Sequence, residues 1–197
     1  MNRRAKASDP SEIGRDTTRK AIIVATGVVL RRLGYAGTTV EQIITEAQVA
    51  RATFYAYFQD KRSAVVELVA VMWARVRNQY EQFAAMPRMT PDNVEEWLWF
   101  VHSRWARYYR EVEAMVRDLP SDIASAHTRN HADFVSIVVG DGGKWACSID
   151  RARCRAHLLI GQLERAMSDL FRKNIDIDEG IVIEELAGIW WGALTRP

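Results

Sequence analysis

TTVEQIITEAQVARATFYAYFQDK, residues 38–61, is the stretch on which the reading of this chain turns. Val40, Ile43, Ile44 and Ala47 recur at helical spacing after Thr38 and Thr39, either of which can cap a helix start. Past Gln48, a second short helix is expected, with Val49, Phe54 and Phe58 facing inward. Its outer face would offer Arg51, Ala52, Thr53, Ala56 and the hydroxyl ends of Tyr55 and Tyr57. Two short helices joined by a turn of about three or four residues, the second exposing small, polar and basic side chains, make a helix-turn-helix. Such a second helix fits a major groove about 12 Å wide only if its outer face lacks apolar bulk, and this one does.

Upstream, Ile22, Ala25, Val29 and Leu33 form one stripe of a helix that starts near Asp16 or Thr17 and stops at Gly34. Residues 1–14 are polar and charged, contain Pro10 and Gly14, and read as a flexible basic arm. Downstream, Asp60 caps a helix whose Val65, Leu68, Val69, Met72, Val76, Tyr80 and Phe83 keep the helical period as far as Pro87. Further helices are expected near 91–110, 111–118, 121–139, 149–173 and 178–194. No segment alternates with the period of a strand, so the expected fold is all-α with about nine helices. The expected organisation is an arm over 1–14, a three-helix DNA-binding domain over 15–62 and a helical regulatory domain over 63–197.

Bulk properties agree with a folded protein: 197 residues, 48% hydrophobic and 26% charged. No apolar run approaches the roughly 18–20 residues that span a bilayer, and no export signal is apparent, so a cytoplasmic location is expected. The formal charge of +2 hides an asymmetry, because residues 1–75 carry twelve basic and seven acidic side chains while the rest of the chain sums to −3. A basic front suits a polyanionic partner such as nucleic acid.

The run from Gly34, Tyr35, Thr38 and Thr39 through Ala47, Val49, Arg51 and Thr53 to Tyr55-Ala56-Tyr57-Phe58 and Lys61 resembles the DNA-binding domain of TetR-type transcriptional regulators. That family opens the motif with Gly-aromatic-x-x-Thr-Thr and closes it with Tyr-x-Tyr-Phe or Tyr-x-His-Phe followed by Lys. The resemblance covers about residues 17–65. It implies that Thr39 touches phosphate, through its hydroxyl or neighbouring amides, and that Arg51, Ala52 and Thr53 read bases. It also implies that Tyr55 and Tyr57 contact backbone or thymine methyl groups and that Lys61 binds phosphate. An arginine at position 51 can grip guanine with two hydrogen bonds, worth about 1–3 kcal/mol of discrimination. Two positions depart from the family. Gln48 stands where the turn usually carries Gly, at a cost of about 1 kcal/mol if its φ is positive. Ala50 stands where Ser or Thr usually caps the second helix, which forgoes about 1 kcal/mol.

All seven tryptophans lie beyond the motif. Trp97, Phe100, Trp105, Tyr108 and Tyr109 fall within one expected helix, and pockets between helices are mostly apolar and aromatic. The resemblance places an effector site in this bundle, and Trp97, Phe100, Trp105 and Phe134 are its candidate lining for a hydrophobic or aromatic small molecule. Leu158, Leu163, Met167, Leu170 and Phe171 form one apolar stripe, and Val182, Leu186, Ile189, Trp190 and Ala193 another. Both helices have more apolar surface than one face needs, which points to a homodimer with Leu158, Leu163, Met167, Leu170, Leu186, Ile189 and Trp190 at the interface. A two-fold dimer would read a palindromic operator with half-sites about 34–36 Å apart. The resemblance implies a repressor released by its effector.

Other chemistry finds little support. His127 and His131 are spaced as two metal ligands without an assured third. Cys147 and Cys154 make no CxxC pair and are expected to be reduced. Gly140 to Gly143 lack the strand and Lys-Ser/Thr of a phosphate loop. Neither catalysis nor a cofactor is expected. The alternatives are a DNA-binding dimer whose C-terminal domain recruits a protein partner, and a helical small-molecule binder or enzyme with a vestigial front domain.

Overall fold

The computed structural model describes residues 10–116, 118–124 and 126–197, with side chains except at 10–13, 106–116, 124 and 126–129. Nine helices and no strand occur among them: α1 (Pro10–Gly37), α2 (Val40–Ala47), α3 (Arg51–Tyr57), α4 (Lys61–Ala85), α5 (Pro91–Val116), α6 (Ser121–Ala124), α7 (Ala126–Val139), α8 (Ile149–Arg172) and α9 (Glu179–Thr195). The all-α expectation holds. The described residues divide into two compact units, one within 10–71 and 114–119 and the other within 72–113 and 120–197.

Three boundaries differ from the sequence reading. Residues 10–14, expected in the arm, open α1, since proline suits the first helical position. The helices expected at 91–110 and 111–118 are one, because nothing between Pro91 and Val116 breaks the backbone ladder. The segment expected at 121–139 holds two helices, α6 and α7. Residues 1–9 and the side chains of Tyr108, Tyr109 and His127 lie outside the described residues.

In the first unit, Ile22, Ala25, Val29 and Leu30 of α1, Ile43 of α2, Phe54 of α3 and Phe58 just after it are all buried. Leu33, expected on the same stripe, is exposed, and the next residue, Gly34, leaves the helical conformation (φ 69°, ψ 176°). The Asp60 carboxylate accepts the Ser63 N–H at 2.7 Å and opens α4. Along α4 the seven apolar positions from Val65 to Phe83 are buried.

The second unit packs Tyr80 and Phe83 of α4 against Trp97 and Leu98 of α5, Phe134 of α7, Leu163 and Met167 of α8, and Ile183 and Trp190 of α9. Gly140 and Gly142, with φ of 57° and 85°, carry the chain between α7 and α8. Arg155 of α8 donates to the carbonyls of Ala193 (2.9 Å) and Arg196 (2.5 Å) at the end of α9. A guanidinium there satisfies carbonyls that have no helical partner and complements the negative end of the helix dipole. Cys147 and Cys154 are free thiols.

Candidate nucleic-acid interface

The interface is built from the turn that leads into α2. Thr39 caps α2 in an extended conformation: its hydroxyl accepts the Gln42 N–H at 3.3 Å, and the Gln42 side-chain oxygen accepts the Thr39 N–H at 2.8 Å. This reciprocal box satisfies two backbone donors and leaves Thr39 at the surface. Thr38, by contrast, is buried and donates its hydroxyl to the Gly34 carbonyl at 2.6 Å.

The same turn is held from two sides. Asp118 accepts the N–H groups of Tyr35 (2.9 Å) and Ala36 (3.0 Å). These hydrogen bonds, helped by the Lys61 ammonium, hold its carboxyl below the usual carboxylate range. Gly34 permits the approach, since a Cβ there would lie 2.7 Å from the Asp118 carboxylate. Opposite, the Lys61 ammonium donates to the carbonyls of Tyr35 and Thr38, each at 2.9 Å, and sits 4.5 Å from the centre of the Tyr35 ring. Lys61, the expected phosphate contact, thus commits two of its three donors to shaping the turn. Asp118 was missed by sequence reasoning, because only the folded chain brings it to the motif.

Between α2 and α3, Gln48 is left-handed (φ 53°, ψ 42°), and its N–H reaches the carbonyls of Ile44 and Thr45. Ala50 precedes α3 with no side-chain cap. The two departures from the family pattern therefore fall where the backbone makes the demands that Gly and Ser or Thr usually meet. The aromatic ring of Phe54 is fully buried, 5.8 Å from that of Phe58, and fixes the inner face of α3. Arg51, Ala52 and Tyr55 are exposed, and Thr53 and Tyr57 are half-buried. These five occupy the positions expected to face DNA, and no Val, Leu, Ile or Met lies among them. Arg51 is held by Glu41 of α2 at 2.5 Å and lies 5.6 Å from the Tyr55 ring centre. Both partners of that ion pair are more than half exposed, so the guanidinium can exchange it for another acceptor at small cost.

The candidate effector-lining residues separate into two groups. Trp97 and Phe134 are core: the Trp97 indole N–H donates to the Gln79 carbonyl at 2.9 Å and its ring packs on Phe83 and Trp190, while Phe134 packs on Tyr80. Phe100 and Trp105 are half-buried, with the Arg104 guanidinium 5.1 Å from the Phe100 ring centre. The candidate dimer residues separate likewise. Leu163, Met167, Leu186 and Trp190 are buried within their own chain, Leu170 is half-buried, and Leu158 and Ile189 are exposed. The two apolar stripes thus largely feed the interior of one chain, since a fully buried side chain has no surface left for a symmetry mate. Among the described residues no group of three metal-ligating side chains converges, and no helix is long and apolar enough to cross a membrane. His131 pairs instead with His157, ring nitrogens 3.0 Å apart.

Residues 22–68 match the family model of bacterial regulatory proteins of the tetR family. No curated protein matches the chain in sequence. Among solved structures, the fatty acid degradation regulator FadR from Bacillus halodurans is 16% identical, with 98% of this chain and 100% of that one covered at a TM-score of 0.67. A TetR-family regulator from Streptomyces coelicolor A3 is 16% identical, with both chains covered in full at a TM-score of 0.64. SmeT, the repressor of the Stenotrophomonas maltophilia multidrug efflux pump SmeDEF, is 20% identical over 88% of this chain and 89% of that one, with a TM-score of 0.59. These likenesses speak to the fold.

Proposed function

We infer that this chain, a TetR-type regulator by its family match over residues 22–68 and its all-α fold, represses transcription by binding a palindromic operator as a homodimer and is released by a small molecule. The observation that carries the reading is the outer face of α3. Arg51, Ala52, Thr53, Tyr55 and Tyr57 present a guanidinium, a hydroxyl, small side chains and two phenols, while Phe54 and Phe58 anchor the helix from behind. In this reading Arg51 leaves Glu41 for a guanine edge, and Ala52 and Thr53 lie against neighbouring bases. Tyr55 and Tyr57 meet the backbone or thymine methyls. Thr39 and the remaining donor of Lys61 meet phosphates on either side.

The dimer places two such helices on successive turns of the duplex through the outer faces of α8 and α9. The effector acts by preferring a conformer in which that spacing is wrong, and it lowers operator affinity only by its differential affinity for the two conformers. Phe100 and Trp105, half-buried on α5, would line its site, with Trp97 and Phe134 acting through packing. One structural neighbour, SmeT, is the repressor of an efflux pump, which supports repression as the direction of control.

Selection of genomic fragments by the purified full chain tests the reading. Enriched palindromes overlapping promoters are the expected result, and a flat profile removes it. A C-terminal domain that recruits a protein instead would leave operator binding insensitive to every small molecule that binds the bundle.

A further inference from the structure

Glu41 is an acid beside side chains expected to meet a polyanion. It lies in the first turn of α2, close to the cap Thr39, and its side chain is 60% exposed. The other acids of the motif have structural duties away from α3. Glu46 lies 3.8 Å from Arg32 of α1, and the Asp60 carboxylate accepts the Ser63 N–H at the start of α4. Glu41 instead reaches α3, where Arg51 Nη1 donates to its Oε1 at 2.5 Å. The guanidinium also lies 5.6 Å from the Tyr55 ring centre, so Glu41 of α2 and Tyr55 of α3 hold it between them. The capping of α2 is done by Thr39 and Gln42, and an acid near the helix start adds only a modest dipole term.

What the pair does follows from the acceptors that compete for Arg51. An unpaired guanidinium on an exposed helix takes any phosphate, which adds affinity for every sequence alike. With Glu41 in place, exchange for a phosphate trades one anion for another and strands a carboxylate beside the DNA backbone, so random sequence gains nothing. Exchange for a guanine edge gains two coplanar hydrogen bonds, to O6 and N7, in a groove from which the seated helix has displaced water. We propose that Glu41 is a specificity-determining residue: it withholds Arg51 from phosphates and yields it to a guanine edge, so that Arg51 adds to operator binding and not to binding of other sequences. This deepens the operator reading above and rests on it.

The test measures affinity of the full chain for random-sequence duplex and for the palindrome obtained by genomic selection, each across a salt series. The parent is compared with Glu41→Gln and with the double variant Glu41→Gln, Arg51→Ala, both of which alter only exposed side chains and keep the far-ultraviolet circular dichroism of the parent. On random duplex, Glu41→Gln releases the guanidinium to a phosphate, so affinity rises about fivefold at low salt and the salt slope steepens by about 0.9. The double variant removes one charge of each sign and is expected to match the parent there within about twofold, with the parental slope. On the palindrome Arg51 already has its guanine, so Glu41→Gln leaves the slope unchanged, and the ratio of palindrome to random affinity falls about threefold or more. An equal rise and an equal steepening on both duplexes make Glu41 a repulsive charge only and overturn the proposal. A double variant that keeps the tightening of Glu41→Gln also overturns it, since the gain then does not pass through Arg51. Either result alongside enriched palindromes leaves operator binding standing, whereas a flat genomic profile removes the operator reading and the part of Glu41 in it.

Discussion

Gln48 holds φ 53° and ψ 42° in the turn between α2 and α3, a conformation that costs an L side chain about 1 kcal/mol relative to glycine. Gln48→Gly is therefore expected to stabilise the first unit by about that amount, less whatever the freer unfolded chain regains, read as a shift in the denaturant midpoint. A fall in the midpoint would mean that the glutamine side chain makes a stabilising contact that outweighs its backbone strain. Two positions on, Ala50→Ser is expected to supply the missing cap of α3, worth about 1 kcal/mol in the same measurement. Arg51 belongs to a different class. Its ion pair with Glu41 is exposed on both sides, so Arg51→Ala should leave the midpoint nearly unchanged. It should cost about 1–3 kcal/mol of discrimination at one base pair of the operator, measured by comparing affinities for the selected site and its single-base variants. A uniform loss over all sites would instead make Arg51 a phosphate contact.

At the scale of elements, α8 carries a group that couples the second unit to pH. Glu164 has only 18% of its side chain exposed, and burial raises its pKa from the usual 4.5 to about 7. Tyr80, fully packed nearby, is pushed upward by its own burial and then by Glu164, and His131 Nδ1 lies 4.0 Å from the carboxylate. The folded pKa lies above the unfolded one, so Glu164 is tolerated as a neutral acid at low pH. Stability then declines as pH rises through the window from about 4.5 to about 7. Glu164→Gln is expected to raise the denaturation midpoint at pH 8, by at most about 3 kcal/mol, and to change it little at pH 4.5. An equal gain at both pH values would assign the effect to helix propensity rather than ionisation. Nothing in the local sequence marked Glu164, since a carboxylate on a helix reads as a solvated face. The same limit accounts for the other surprises. Periodicity located α2, α3, α4 and the faces of Ile43, Phe54 and Phe83, because each apolar residue there has one place to go. It could not tell whether Trp97, Phe134, Leu163 or Trp190 faces a ligand, a partner or its own core, since all three environments select the same side chains. Asp118 and Lys61 take their surroundings from residues distant in sequence, which no window along the chain contains.

For the molecule as a whole, the operator-binding proposal requires two copies, and the free surface of α8 and α9 says where they would meet. With Leu163, Met167, Leu186 and Trp190 consumed by the core, the large apolar groups exposed on these two helices are Leu158 at 63%, Ile181 at 55%, Ile189 at 44% and Ile149 at 39%. Gly161, Gly188 and Gly192 lie on the same two helices, and a Cβ at any of them would meet nothing within 4 Å. Glycine inside a helix costs about 0.5–1 kcal/mol relative to alanine, a cost that close approach of a second backbone would offset. The double variant Leu158→Arg, Ile189→Arg alters only exposed positions, so each chain should keep its fold and its denaturant midpoint to within about 1 kcal/mol. Sedimentation should then find a monomer, against the dimer proposed for the parent. Operator affinity should fall by about a hundredfold or more, because each half-site would bind without the tethering that the partner provides. Gly188→Ala separates the two readings of this surface: it strengthens the fold if the face is bare in solution, and it weakens the dimer if another helix lies against it. A double variant that remains dimeric would move the interface off α8 and α9, and the half-site geometry would then have to come from another face of the second unit.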